Sequence, residues 1–210
     1  MNRDHKNHKR LLLIVSAIVF GLVFFGLLAF AIWDTIVSKK SIIRLGDYSS
    51  LTYTTSNRDA AGTEVTDLIV SRSKFGGLVK DEAESMYHST MTIYREEAEE
   101  FGMSLSEYIK NVFGTTEEQF REDVRASALL VAKEEAVLDA IADRENIILT
   151  EIRFEKILQQ YMISTGYTDR KQFLVDYNEK DLRVRMRREI TVDWLLEHAT
   201  GPALDEGDTE

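Results

Sequence analysis

TEEQFREDVRASALLVAKEEAVLDAIADRE, residues 116–145, is the stretch whose reading decides the fold class. Phe120, Val124, Ala128, Val131, Leu138 and Ile141 recur at spacings near three and four, widened by Leu130 and Val137, and no glycine or proline interrupts them. That period belongs to an amphipathic helix with one buried face. Thr116 with Gln119 is a capping box, which places the start of the helix.

The same pattern continues on both sides. Upstream, Ala83, Met86, Tyr87, Met91, Tyr94, Ala98 and Phe101 form a stripe over Val79 to Phe101, which Gly102 stops. Ser104 with Glu107 caps a short helix that runs through Val112 and ends at Gly114. Downstream, Thr150 caps a helix from Glu151 to Ser164 that Gly166 closes, and Thr168 caps a short helix holding Phe173 and Leu174. A last helix from Glu179 to Ala199 places Leu182, Met186, Ile190 and Trp194 four apart. Beyond it lie the single proline, Pro202, and an acidic tail, 201–210, expected to be disordered.

Ahead of Leu78 the pattern is not helical. The reading there is an extended stretch around Leu51 to Thr55, a polar turn through Ser56, Asn57, Arg58, Asp59 and Gly62, and a short helix within Val65 to Phe75 that ends at the Gly76-Gly77 pair. The fold class expected is all-α: a helical bundle or set of arms over 78–200, preceded by a linker and short extended segment over 34–77.

The run from Leu11 to Trp33 carries no charged residue and no proline. About 20 apolar helical residues cross a bilayer, so 11–33 is expected to be a transmembrane helix, with Trp33 at interface depth. Arg3, Lys6, Lys9 and Arg10 precede it, against Lys39, Lys40 and Arg44 after it. That bias keeps residues 1–10 in the cytoplasm and exports the rest. The competing reading is a signal peptide cleaved after Ala31, because Ala29, Phe30 and Ala31 form a small-x-small pattern.

After Lys40 the chain holds 20 Lys and Arg against 34 Asp and Glu. An acidic surface argues against nucleic acid, whose phosphates need cations, and against adsorption to anionic headgroups beyond the anchor. With no cysteine there is neither a disulfide framework nor a thiolate nucleophile. His5, His8, His88 and His198 are scattered, without metal-ligand spacing. The pairs Glu96-Glu97, Glu117-Glu118 and Glu134-Glu135 are adjacent on helices, so their side chains diverge and read as solvated faces. No phosphate-cradling glycine loop and no Gly-x-Ser-x-Gly elbow occurs, and no cofactor is expected.

Ile43-Arg44-Leu45-Gly46-Asp47-Tyr48-Ser49-Ser50-Leu51-Thr52-Tyr53, followed by Val65-Thr66-Asp67, resembles phrases that introduce the arm and isomerase regions of bacterial trigger factors. Gly102-Met103-Ser104-Leu105-Ser106-Glu107-Tyr108 and Gly114-Thr115-Thr116-Glu117-Glu118-Gln119-Phe120 resemble their C-terminal chaperone domain. So do Val137-Leu138-Asp139-Ala140-Ile141-Ala142 and Trp194-Leu195-Leu196-Glu197-His198-Ala199. Trigger factors open with a ribosome-docking domain, and here the apolar run stands in its place. Their FKBP-type isomerase domain would fall between Asp67 and Leu78, where only ten residues lie, so its catalytic residues cannot be carried over.

What the resemblance implies is a helical cradle holding unfolded polypeptide without ATP. The leading expectation is therefore a membrane-tethered extracytoplasmic holdase for unfolded or newly exported chains. A scaffold for one membrane partner is the alternative, and residual prolyl isomerase activity a third. Flexible methionine and aromatic side chains suit promiscuous apolar binding. The client-binding candidates are Tyr87, Met91, Tyr94, Tyr161, Met162 and Met186, each of which could instead be core.

Overall fold

The computed structural model describes residues 41–205 of the chain. The run 11–33, its flanking cations and the last five residues of the acidic tail lie outside them. The described part is predominantly helical, in the order β1 (Ile42–Arg44), α1 (Arg58–Arg72), β2 (Lys74–Phe75), α2 (Gly77–Glu100), α3 (Leu105–Phe113), α4 (Glu117–Arg144), α5 (Glu151–Thr165), α6 (Arg170–Asp176) and α7 (Glu179–His198). β1 and β2 pair antiparallel, Ile42 opposite Phe75.

Local chemistry sets most of the boundaries. The Ser104 hydroxyl accepts from the Glu107 N–H at 3.3 Å while Glu107 accepts from the Ser104 N–H at 3.0 Å, so two free donors at the start of α3 are satisfied reciprocally. Gly114 closes α3 at φ 68°, a left-handed conformation that costs glycine nothing. Thr116 and Thr150 accept from Gln119 and Arg153 at the starts of α4 and α5, where the sequence places N-caps, but the Gln119 side-chain amide donates to Asp123 at 2.9 Å, so the capping box expected at Thr116 is only half made.

Two element starts differ from the sequence reading, and the expected extended stretch gains a distant partner. The expected polar turn at 56–62 is the first turn of α1: Asn57 accepts the Ala60 N–H at 2.9 Å, so the polar residues are a cap rather than a loop. Gly62 sits inside that helix because a Cβ there would meet Val192 at 2.8 Å, and its absence lets α7 approach. The extended stretch at Leu51 to Thr55 has its ladder partner in the far end of the chain, Thr52 bridging Thr200 in parallel. The short helix expected to be capped by Thr168 is capped by Asp169, whose carboxylate accepts from Lys171 and Gln172 at 2.7 and 3.3 Å. A carboxylate at a helix N-terminus gains from the helix dipole as well as the hydrogen bonds.

The tail also begins later than expected. The Asp205 N–H donates to the Ser56 carbonyl at 2.8 Å, the Tyr53 hydroxyl to that of Pro202 at 3.2 Å, and Leu204 packs on the core. Residues 199–205 are therefore stitched to 51–56 rather than trailing from α7.

Three of the apolar clusters among the described residues mark out a body and two arms. In the body, Leu51, Tyr53, Ala61, Val65 and Ile69 pack with Val137, Leu138 and Ile141 of α4 and with Leu195 and Leu196 of α7. Residues 41–77 are thus part of the core rather than a linker to it. The first arm is α2 and α3 folded on the N-terminal part of α4, with Tyr87, Met91, Ala98, Tyr108, Ile109, Phe120 and Ala128 inside. The second is α5 and α6 on the N-terminal half of α7, around Phe154, Leu158, Phe173, Leu182 and Met186. Each fully buried large side chain contributes roughly 1.5–3 kcal/mol.

Arg188 of α7 ties the arms at their root. Its guanidinium is bidentate to Asp139, at 2.9 and 2.7 Å, and lies 2.6 Å from Glu135, both on α4. Glu82 of α2 faces the same hollow, and burial, then repulsion from Glu135, raise its carboxyl above the ordinary glutamate value. At the other end of the body, burial and a 2.6 Å hydrogen bond to Glu145 push the Tyr48 phenol up to about 12.

Candidate functional site

α2 and α4 run side by side along the first arm and leave a groove of about 510 Å³ on one face. The helical stripe that buries Met91 and Ala98 leaves the neighbouring positions Met86 and Tyr94 half-buried at the groove's edge. α4 supplies Phe120, Val124, Ala128 and Val131 from successive turns of its own apolar stripe.

The groove leads to an aromatic tip. The rings of Phe113 and Phe120 lie 4.8 Å apart, and Tyr94 meets both edge-on at 5.5 and 5.1 Å. Phe101 stacks on Tyr108 at 5.9 Å while remaining 67% exposed. Edge-to-face and offset stacking are favourable beyond area alone, so buried Phe120 and Tyr108 hold Phe113 and Phe101 in place while the latter two stay exposed.

The second arm exposes aliphatic residues instead. Ile148, in the link from α4 to α5, is 73% exposed, and Ile152, at the start of α5, is 86% exposed. Val184 of α7 lies against Ile147, Ile148 and Leu149 around an open hollow of about 660 Å³. Among the described residues no cluster of His, Asp and Glu has the geometry to hold a metal ion.

The six candidates named from sequence separate into two groups. Tyr87, Met91 and Met186 are buried, the methionines at 2% and 0% exposure. The Tyr87 hydroxyl accepts from Arg121 at 3.2 Å and its ring lies under the Arg125 guanidinium at 4.1 Å, so it is a packing element on both sides. These three face neighbouring helices because each sits at the centre of its helix's apolar stripe, and they offer no open surface.

Tyr94, Tyr161 and Met162 are half-buried at the rims of the two arms. The Tyr161 phenol donates to Glu189, and burial, with that bond second, raises its pKa. The residues forming the open surface were mostly outside the candidate set: Phe101, Phe113, Val131, Ile148, Ile152 and Val184. Ile148 carried a legible signal, an apolar residue in a linker between two helices. Ile152, beside its helix's cap, carried a similar one.

The described residues include no helix long and apolar enough to cross a membrane. The profile of the family described as "Bacterial trigger factor protein (TF) C-terminus" matches residues 76–197. The chain is also 34% identical over 104 residues to the trigger factor of Alkaliphilus oremlandii (strain OhILAs), a match covering 47% of this chain and 23% of that protein. It thus aligns with under a quarter of that relative's length. No solved structure matches the chain. The family match takes in more than half of the chain, from the start of α2 to the end of α7, and so includes both arms: the chain belongs to the bacterial trigger factor C-terminus family.

Proposed function

We infer that this chain is an ATP-independent holdase that shields unfolded polypeptide segments on the apolar faces of its two arms. Membership of the trigger factor C-terminus family supports a chaperone-like role. The single observation that carries the reading is the open apolar surface from the α2–α4 groove to Phe101 and Phe113. Patches of that kind on otherwise polar surfaces mark interaction sites. The acidic remainder keeps a protein with so much exposed apolar surface soluble.

The tether belongs to the same proposal. Residues 11–33 anchor the chain in a membrane and hold the arms on the far side from the N-terminus, where exported chains emerge. The cation bias around that run supports this orientation. A reporter fused after Glu210 that is active in the cytoplasm would overturn it. No prolyl isomerase activity is proposed, because α1, β2 and α2 follow one another directly across residues 67–78.

The holdase reading is tested with the full chain in nanodiscs, mixed with several unrelated unfolded proteins whose aggregation is followed by light scattering. Suppression for all of them, weakened by Phe101→Ser with Phe113→Ser, is expected. Protection of one protein only would favour a scaffold for a single partner. Protection of none would end the proposal.

A further inference from the structure

The net charge of −10 hides a division between the arms. From Gly77 to Ala136 there are six Lys and Arg against fourteen Asp and Glu, whereas from Ile147 to Val192 there are nine against seven. The first arm is strongly acidic and the second slightly cationic. An apolar segment flanked by carboxylates is therefore repelled by most of the molecule, and the repulsion reaches about 10 Å at moderate salt.

The hollow on the second arm has a different character. Its floor is aliphatic, made by Ile147, Ile148, Leu149 and Val184, and Lys180, Arg183 and Arg187 stand around it with Glu179. Glu151 and Asp143 pair with the two arginines from outside, so the rim is balanced in charge where the first arm is acidic. The arginines are held there by contacts that do not depend on charge pairing alone. Arg187 donates to the Ile147 carbonyl at 2.9 Å, and the Arg183 guanidinium lies 3.6 Å over the Phe154 ring.

Both arginines also have carboxylate partners: Arg187 reaches Asp143 at 2.7 Å, and Arg183 reaches Glu179 at 2.8 Å and Glu151 at 3.0 Å. Asp143 and Glu151 are exposed. Ion pairs with solvent-exposed partners contribute little, so an incoming carboxylate can exchange with them while the packed guanidiniums stay in place.

We propose that this hollow is the station for client segments in which an apolar core is flanked by aspartate and glutamate. The assignment rests on the holdase reading and names its substrate class on one arm. The aliphatic floor takes the core, and the rim of Lys180, Arg183 and Arg187 takes the flanks. The acidic first arm is left to apolar segments without acidic flanks. An anionic lipid surface has similar chemistry, and reconstitution into anionic bilayers separates it from a peptide.

The test uses the full chain in neutral-lipid nanodiscs and two fluorescent peptides with one apolar core, flanked by aspartates in one and lysines in the other, followed by anisotropy. Ile148→Ser with Val184→Ser is expected to weaken the aspartate peptide about tenfold and leave the lysine peptide unchanged. Both positions are exposed, so melting should not shift. Lys180→Glu is expected to weaken the aspartate peptide about threefold, an effect that added salt removes.

Equal weakening of both peptides, or none, would overturn the assignment. Binding of the lysine peptide with rejection of the aspartate peptide would overturn it while leaving the holdase reading intact. Failure of the wild type to bind either peptide would overturn both. Reconstitution into anionic bilayers should preserve aspartate-peptide binding, and its abolition there would give this face to lipid instead.

Discussion

Met91 and Met103 are the same residue type on the same arm, yet Met91 is sealed between α2 and its neighbours while Met103, in the turn after Gly102, stands in water. Residue type alone does not carry that difference, which depends on the face each position takes once α2 and α4 are side by side. The same contrast separates Met186, at the centre of the second arm, from Val184 two residues earlier. Met186→Ala is expected to cost about 2–5 kcal/mol, read by chemical denaturation, because it opens a cavity. Phe101→Ser should cost no more than about 1 kcal/mol, the stacking on Tyr108 included, and still weaken client protection. Glu82 gives a pH-dependent case. Its carboxyl is raised above 4.5, first by burial and then by Glu135, so its ionised form opposes folding and stability falls as pH rises through the raised value. Glu82→Gln should therefore raise the melting temperature near neutrality and leave it unchanged well below pH 4.5, where the carboxyl is protonated in both states.

At the level of elements, caps and periodicity made α3, α4, α5 and α7 legible to within a residue or two, since Ser104, Thr116, Thr150 and the closing glycines signal locally. α1 was only half legible. Its first turn is built from Arg58, Asp59 and Ala60, with Gly62 close behind, a composition that reads as a turn until α7 lies against it and makes the glycine an asset. The pairing of 51–53 with Thr200 was not legible at all, because a parallel partner so far along the chain leaves no local trace. The open surface fell between these cases: apolar residues were visible, but which of them stay uncovered depends on how the helices pair. The tie between α4 and α7 at Arg188 is another product of pairing. Arg188→Ala leaves Asp139 and Glu135 facing each other without a cation, and with a side chain only 20% exposed the loss should be about 1–3 kcal/mol. Arg188→Lys should recover part of it, since lysine supplies the charge but not the bidentate fork.

For the whole molecule, the family match begins at residue 76, but the core does not. Val65 and Ile69 of α1 are fully buried against Val137 and Ile141 of α4 and Leu195 of α7, and Leu51 and Tyr53 close the same cluster. A fragment starting at Gly76 is expected to lack a cooperative thermal transition, whereas one starting at Ser41 should melt as a unit; comparable melting of both would show that the arms fold without the body.

α4 is one unbroken helix from the arm's tip to the body, and over its 28 residues it measures about 42 Å at 1.5 Å per residue. It therefore behaves as a lever whose fulcrum is the packing of Val137 and Ile141 on α1. From that fulcrum to Glu117 is 20–24 residues, about 30–36 Å, so a tilt of about 5° sweeps the far end through roughly 3 Å. Loosening the fulcrum, as with Ile141→Val, should accordingly broaden the distribution of distances between labels at Phe113 and Gly166 with little change in their mean. On the holdase reading, the reach of the arms toward a client would then be set from a fulcrum in the body core.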